Sequence, residues 1–480
     1  MRLPVRLRIL APTAWAVALA LLPACGGERS SSSDSAAEAP PPSVAPELGV
    51  DPATVTTRAP AVNRLLILAL DGATWDLLDP VLERGGAPTM AGLIDRGVRA
   101  ELITLEPTVS PAIWTTIATG FLPDQHGILG FDGVPGATMT TLPNARMRKK
   151  KTFWNILSDF GVTTGTLGWW ASWPADPLCD GSFLVSDRVP YTRMEASIGR
   201  GALDDDDVFP PSLLDTLAPL VEKPNDLSPA VARDWLGMDS EERQRFLLDP
   251  EYRMGRFLPE FKFAYQSDLS TRKMAVAAFD RLPVQVLSVY FTGIDTVSHL
   301  FWHFTFPEQF PNQPVPAAEA ARYGAVIPKY YEQVDRWLGE ILTALGDDTT
   351  VLIVSDHGFG GTGNLPWSGG HGRLTPGAPI APRGLLVLSG PGIVDGPVRL
   401  DRAHVLDVAP TILRLMGLPE ADDMVGRPLE SALVPAAREE LPNVASFEVI
   451  GHLRRPPPPR VDPSGDAERM ERLRALGYIR

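Results

Sequence analysis

Three apolar runs in this chain end in residues able to hold a divalent cation. RLLILALDG reaches Asp71, QVLSVYFTGIDTVSH reaches Asp295 with His299 four residues on, and TTVLIVSDHG reaches Asp356 and His357. A further imidazole, His371, follows in GGHG. Carboxylate oxygens and imidazole nitrogens are ligands that zinc accepts together, so the set suits a pair of divalent cations, with Zn2+ favoured over Mg2+. Such a set implies a two-metal hydrolase. Taken singly, each aspartate is also an ordinary turn former or helix N-cap; the combination carries the inference.

The nucleophile for such chemistry is expected in LEPTVSPAIWTTIATGFLPDQHGILGF. Ser110 followed by Pro111 has the pattern of a helix N-cap with proline at the first helical position, and Gly120 ends the helix. A hydroxyl at that point meets the amides and dipole that favour an incoming phosphate. Ser110 is therefore the candidate nucleophile, with a plain capping role as the other reading. Thr108 is the nearest competing hydroxyl, and Thr115 and Thr116 would lie inside the helix.

Elements that could gather these residues alternate along the chain. Strands are expected at residues 64–70, 162–167, 284–290, 350–355 and 384–388, and helices at 75–83, 111–119, 330–345 and 405–416. Wide spacing between strands predicts crossover helices and an α/β fold with a mostly parallel central sheet flanked by helices. Acids just past strand ends would then meet at one sheet edge. Residues 190–273 fit the alternation less well, and an inserted cap region is expected there.

Composition sets further bounds. The chain has 480 residues, 44% of them hydrophobic and 21% charged, which allows a large folded core. A net charge of -14 and a pI near 5.1 exclude a nucleic-acid polymer as partner, since that requires a basic stripe. Arg146, Arg148 and Lys149 to Lys151 form one dense basic cluster, read as a solvated loop. Trp169, Trp170 and Trp173 in GWWASW are candidates for either the cleft wall or core packing. His303 is either an outer partner of the site or a packed ring beside Trp302, and Cys179 reads as a small buried hydrophobe.

At the amino terminus Arg2, Arg6 and Arg8 precede an apolar run too short to span a membrane comfortably, followed by LPAC. Residues 1–24 resemble a bacterial lipoprotein signal, with Cys25 as the lipidated residue. Residues 25–60, rich in Ser, Ala and Pro, are expected to be a tether, residues 61–440 the catalytic domain and residues 441–480 a tail. An exported protein attached to a membrane through its lipid alone is the expectation.

LALDG, the hydroxyl segment ending ATGFLPDQHGI, GIDTVSH, SDHG and GGHG together resemble, in order and spacing, the alkaline phosphatase superfamily in its type I phosphodiesterase and nucleotide pyrophosphatase branch. The resemblance implies one metal on Asp71, Ser110, Asp356 and His357, and another on Asp295, His299 and His371. It implies hydrolysis of small phosphorylated substrates, nucleotides or lipid headgroups among them, through a phosphoseryl intermediate. Ile113 departs from the family's usual Asn three residues after the nucleophile, and no sulfatase-type Cys/Ser-x-Pro-x-Arg motif is present. A phosphomonoesterase, a phosphotransferase with the same site and a non-catalytic lipoprotein are the alternatives. Pro111, Ala112, Ile113 and Trp114 beside the hydroxyl bring no arginine, which tilts the expectation to diesters.

Overall fold

The computed structural model describes residues 49–131, 142–189, 205–248, 257–361, 369–370 and 382–452. The expected signal segment, Cys25 and His371 lie outside the described residues. Strand β1 (Leu65–Leu70) is buried along its whole length. Side chains alternate across a strand, so Leu66, Leu68 and Leu70 enter one core and Leu65, Ile67 and Ala69 the other. The continuous apolar run LLILAL is what a strand covered on both faces requires.

After β1 come α1 (Trp75–Glu83), α2 (Pro88–Asp95), β2 (Gly97–Ile103), α3 (Ser110–Thr119), α4 (Pro123–His126) and α5 (Phe153–Asp159). They lead to β3 (Thr164–Leu167), β4 (Phe183–Val185), β5 (Val208–Phe209), α6 (Leu214–Leu217), α7 (Pro229–Leu236), α8 (Ser240–Leu248) and α9 (Phe257–Arg281). Then follow β6 (Val286–Phe291), α10 (Gly293–Thr305), α11 (Ala317–Tyr323), α12 (Val326–Leu345) and β7 (Thr350–Val354). A small pair, β8 (Gly360–Gly361) with β9 (Gly369–Gly370), precedes β10 (Gly384–Ser389), β11 (Val398–Arg399), β12 (Ala403–His404) and α13 (Val408–Leu415).

The main sheet has the order β11-β2-β10-β7-β1-β6-β3-β4-β5, with β12 also on β2. Neighbours from β7 to β4 run parallel, so the mostly parallel α/β sheet expected from the sequence is present. β10 is antiparallel to both β7 and β2, and β5 to β4. Of the strands not foreseen, β2 is the longest. Its residues GVRAELI alternate between buried and partly exposed positions, and Arg99 lies over the Trp75 ring at 3.7 Å, so no continuous apolar run marks it. Helices α1, α2, α9, α10 and α12 contribute to the core on one face, and α3, α5 and α13 to the core on the other.

Several boundaries move. Helix α9 runs through residue 273 to Arg281, with Met274, Ala275 and Ala278 in the core, so the expected cap limit falls inside a sheet-covering helix. The described end of the tether is packed: Val50 bridges to Ile450, and the Arg58 guanidinium donates to carbonyls of Arg414, Ala437 and Glu439. The start of the tail is packed as well, with Phe447 and Ile450 buried. Among the described residues no helix is long and apolar enough to cross a membrane.

The basic cluster is not a solvated loop. Arg148 and Lys151 are 2% and 1% exposed. Arg148 pairs with Asp176, and Lys151 Nζ lies 2.7 Å from Asp159 and donates to the Ile450 carbonyl. Lys150 reaches Asp423 at 3.2 Å. These cations tie α5 and the C-terminal segment to the body; of the cluster only Lys149 is exposed.

Helix α3 is buried on every side and ends at Gly120, whose φ of 75° is the left-handed cap that glycine adopts freely. It is pinned by His126: Nε2 lies 3.0 Å from Thr116 Oγ1, and Nδ1 accepts from the Ile128 amide at 3.2 Å. Burial lowers the His126 pKa to about 3. The unfolded chain therefore takes up a proton below the usual value near 6.5 that the folded chain refuses. The stability due to neutral His126 is complete above about pH 6.5 and is lost progressively as pH falls towards about 3. Denaturant titrations of His126→Gln and the parent at pH 7 and pH 5 should differ in their pH dependence by roughly 2 kcal/mol, the parent losing more. Equal losses would remove His126 from the acid response.

Candidate active site and metal centre

In this sheet β2 runs in the same direction as β7, because both are antiparallel to β10. The connections that leave β1, β2, β6 and β7 therefore start from one edge, and they carry Asp71, Ser110, Asp295 with His299, and Asp356 with His357. Asp71, Asp356 and His357 come together there with Ser110, and Asp295 lies close to Gly72.

Asp71, Asp356 and His357 are buried, with ligand atoms within 4.8 Å of one another. His357 Nε2 lies 3.4 Å from Asp71 Oδ1 and 3.3 Å from Asp356 Oδ2. Its Nδ1 is 2.9 Å from the Gly358 carbonyl, which can only accept. The neutral ring must then carry its proton on Nδ1 and present a lone pair at Nε2, the form that binds a cation.

Helix α3 begins at Ser110 after the extended Val109, one position away from the arrangement expected from the sequence. Ser110 is thus the first helical residue. Its Oγ lies 3.2 Å from His357 Nε2 and 3.5 Å from Asp71 Oδ1, so the hydroxyl is directed at the cluster. Thr108 Oγ1 instead donates to the Leu105 carbonyl at 3.4 Å.

Asp295 and His299 lie one turn apart on α10, with Nε2 3.6 Å from Oδ2. Gly72 lets Asp295 approach Asp71: a Cβ at Gly72 would lie 2.8 Å from Asp295 Oδ1, and its φ is +66°. Burial pushes the Asp295 and Asp356 carboxyls well above the usual range, and the Asp71 charge pushes both further. His357 opposes this.

Three carboxylates beside one hydroxyl would by charge alone disfavour its ionisation. Asp356 Oδ2 is buried without a hydrogen-bond partner. Both facts suit a group of positive charge with oxygen and nitrogen ligands, so the residues fit divalent cations.

The sequence reading missed two partners. Tyr290, at the end of β6, donates its phenol proton to Asp71 Oδ2. Asp268, fully buried on α9, accepts from the Thr292 and Gly293 amides at 3.0 and 2.9 Å and from Tyr330 OH at 2.9 Å. It caps α10, the helix that bears Asp295 and His299, and burial pushes its pKa up to about 7. Tyr290 resembles any core aromatic in sequence, and Asp268 any charge on an amphipathic helix.

Of the three tryptophans, only Trp170 reaches the cluster, through Tyr290 OH at 2.8 Å. Trp169 is core, packed edge-on against Trp114, and Trp173 lies under Arg188. His303 stacks on Phe304, with its pKa lowered to about 4 by burial, and is a packed ring. Cys179 is half-buried beside Ser182.

Residues 65–365 match the type I phosphodiesterase / nucleotide pyrophosphatase family, and the protein belongs to that family. The resemblance drawn from LALDG, GIDTVSH and SDHG is thereby borne out. Among curated relatives, the 2,3-bisphosphoglycerate-independent phosphoglycerate mutase of Synechococcus elongatus is 29% identical over 176 residues, 34% of this chain and 27% of the mutase. That of Cereibacter sphaeroides (strain ATCC 17025) is 35% identical over 102 residues, 21% and 19% of the two chains. The chain thus spans about a quarter or less of these mutases. Similar solved structures include wild-type alkaline phosphatase PafA, with TM-score 0.49, 13% identity and 79% and 100% of the two chains covered. Murine ectonucleotide pyrophosphatase / phosphodiesterase 5 in complex with AMP has TM-score 0.42 and 11% identity over 74% and 96%.

Gly72→Ala should cost about 1–2 kcal/mol for the left-handed backbone and displace Asp295. Metal content of the purified variant, read beside its melting curve, should fall below that of the parent. A variant with full metal content would show that Asp295 tolerates the added methyl.

Proposed function

We propose that this member of the type I phosphodiesterase / nucleotide pyrophosphatase family hydrolyses phosphoric esters, diesters before monoesters, with Ser110 as nucleophile and two divalent cations, Zn2+ above Mg2+, as cofactors. The observation that carries the reading is the Ser110 hydroxyl held between His357 Nε2 and Asp71 Oδ1 at the start of a buried helix. Asp71, Ser110, Asp356 and His357 would hold one cation, and Asp295, His299 and His371 the other. When bound, such cations lower the pKa of a coordinated hydroxyl and offset charge on phosphoryl oxygens.

The chain's own residues supply the rest. His357 Nε2 and Asp71 Oδ1 orient the Ser110 hydroxyl, and the first amides of α3 with the helix dipole favour the anionic phosphoryl group. Ser110 gives up its proton to solvent and its Oγ forms a bond to phosphorus as the bond to the leaving oxygen breaks in line, the alkoxide taking a proton from water. The oxygen of a second water then bonds to phosphorus as the Oγ–P bond breaks, and a proton from that water restores the Ser110 hydroxyl.

Beside the hydroxyl, residues 111–114 bring no arginine, and Ala112, Ile113 and Trp114 are buried and apolar. A site with no added cation beside the hydroxyl suits a diester, which carries less charge than a monoester. Small phosphorylated substrates, nucleotides or lipid headgroups, are the proposed class. A phosphotransfer reading, with an alcohol in place of water, is favoured by the mutases that match part of the chain.

Steady-state assays on a nitrophenyl diester and the matching monoester at equal zinc loading test this reading. The expected results are a diester preference, loss of activity on chelation with better recovery in Zn2+ than in Mg2+, and loss of turnover in Ser110→Ala with Thr108→Ala active. Phosphate trapped on Thr108, or full activity in Ser110→Ala, would overturn the nucleophile. Product transferred to added alcohols in preference to water would favour phosphotransfer.

Export and membrane attachment through a lipid on Cys25 are proposed from the sequence of residues 1–25. Cys25→Ser should release the protein from membranes or leave its precursor uncleaved; lipid label retained in that variant would refute the anchor.

A further inference from the structure

We propose that Tyr290 and Trp170 are positioning residues that fix the Asp71 carboxylate for cation binding. The inference rests on Asp71 as a cation ligand. Asp71 Oδ1 faces Ser110 and His357, whereas Oδ2 accepts from the Tyr290 phenol. With one oxygen engaged by a phenol, the carboxylate offers the other to the cluster.

The direction of this relay follows from hydrogen-bond chemistry. An indole N–H can only donate. Trp170 Nε1 lies 2.8 Å from Tyr290 OH, so the phenol oxygen accepts there and its own proton is turned to Asp71. A phenol already accepting from an indole is also a stronger donor to the carboxylate beyond it.

Both members are held from outside the site. The Tyr290 ring packs edge-on against Trp114 at 5.1 Å, and Trp170 packs edge-on against Phe131. The loop after Trp170 is shaped by Asp187, whose carboxylate accepts from the Ala171 and Trp173 amides at 3.2 and 3.1 Å. Ala171 has φ 56°, a left-handed backbone that costs a non-glycine residue about 1–2 kcal/mol. Backbone of this kind persists where its surroundings over-determine it. Here the consequence is a fixed place for the Trp170 indole.

Zinc affinity, measured by competition with a chromophoric chelator on the full chain, tests the relay. Tyr290→Phe keeps the ring against Trp114 and removes only the hydroxyl. It should bind zinc about 10- to 100-fold more weakly, the usual loss for a partner of a metal ligand. Trp170→Phe should show a smaller loss in the same direction. The double variant should be no worse than Tyr290→Phe, because the indole acts through the phenol. At saturating zinc, KM on the nitrophenyl diester should equal that of the parent in both single variants.

Unchanged zinc affinity in Tyr290→Phe, or losses that simply add, would overturn the relay. A raised KM in Trp170→Phe with intact zinc affinity would do so too, and would make Trp170 a substrate contact. A parent protein that takes up no divalent cation overturns the metal reading itself, which separates that failure from this one. Should Tyr290→Phe fold poorly, Trp170→Phe alone decides through its zinc affinity.

Discussion

Asp71, Asp295 and Asp356 are all carboxylates removed from water, and each of the latter two is pushed towards the neutral form by burial and by Asp71. Removing an ionised carboxylate from water costs several kcal/mol even after relaxation, and like charges at short range add to this. A chain does not gather such a cluster by packing alone. The surroundings must hold it against its own repulsion, and a compensating positive charge is what the arrangement fits. Much of the local detail answers that constraint. Gly72 has no side chain where Asp295 needs the space, Tyr290 donates to Asp71, and the Gly72 amide donates to Asp356 at 3.3 Å.

The sheet meets the constraint at longer range. β1 lies between β6 and β7, so the strands that bear the three aspartates are immediate neighbours although they are far apart in sequence. Ser110 arrives from β2, two strands further out, and the loop from Leu105 to Val109 carries it back to the centre. β10 is antiparallel to both of its neighbours, so β2 ends at the same edge as β7.

The ligand-bearing runs were legible because their physics is local. LLILAL, VLSVYF and TVLIV are buried on both sides, so they are largely apolar, and Asp71, Asp295 and Asp356 follow shortly after them. β2 was not legible, since its Arg99 and Glu101 serve a half-exposed strand. The basic cluster misled for a related reason. Burial of Arg148 and Lys151 depends on Asp176, Asp159 and the Ile450 carbonyl, and sequence does not show those partners side by side.

Caps show where sequence stops and tertiary structure takes over. Neither α10 nor α2 is capped by its own N-cap side chain. Asp268 accepts from the first amides of α10, and Asp335 accepts from Thr89 and Met90 at 3.1 and 2.7 Å. A cap lent by another helix cannot be read from neighbouring residues, yet it performs the same electrostatic work at the helix start. It also joins two elements that a local cap would leave independent. At α10 this matters chemically, because the helix presents Asp295 and His299 on its first two turns. The Cβ that any other residue would bring at Gly293 would collide with Tyr330 and Asp268. α9 and α12 therefore set the position of α10 through Asp268 and Tyr330, and with it the spacing between Asp295 and Asp71.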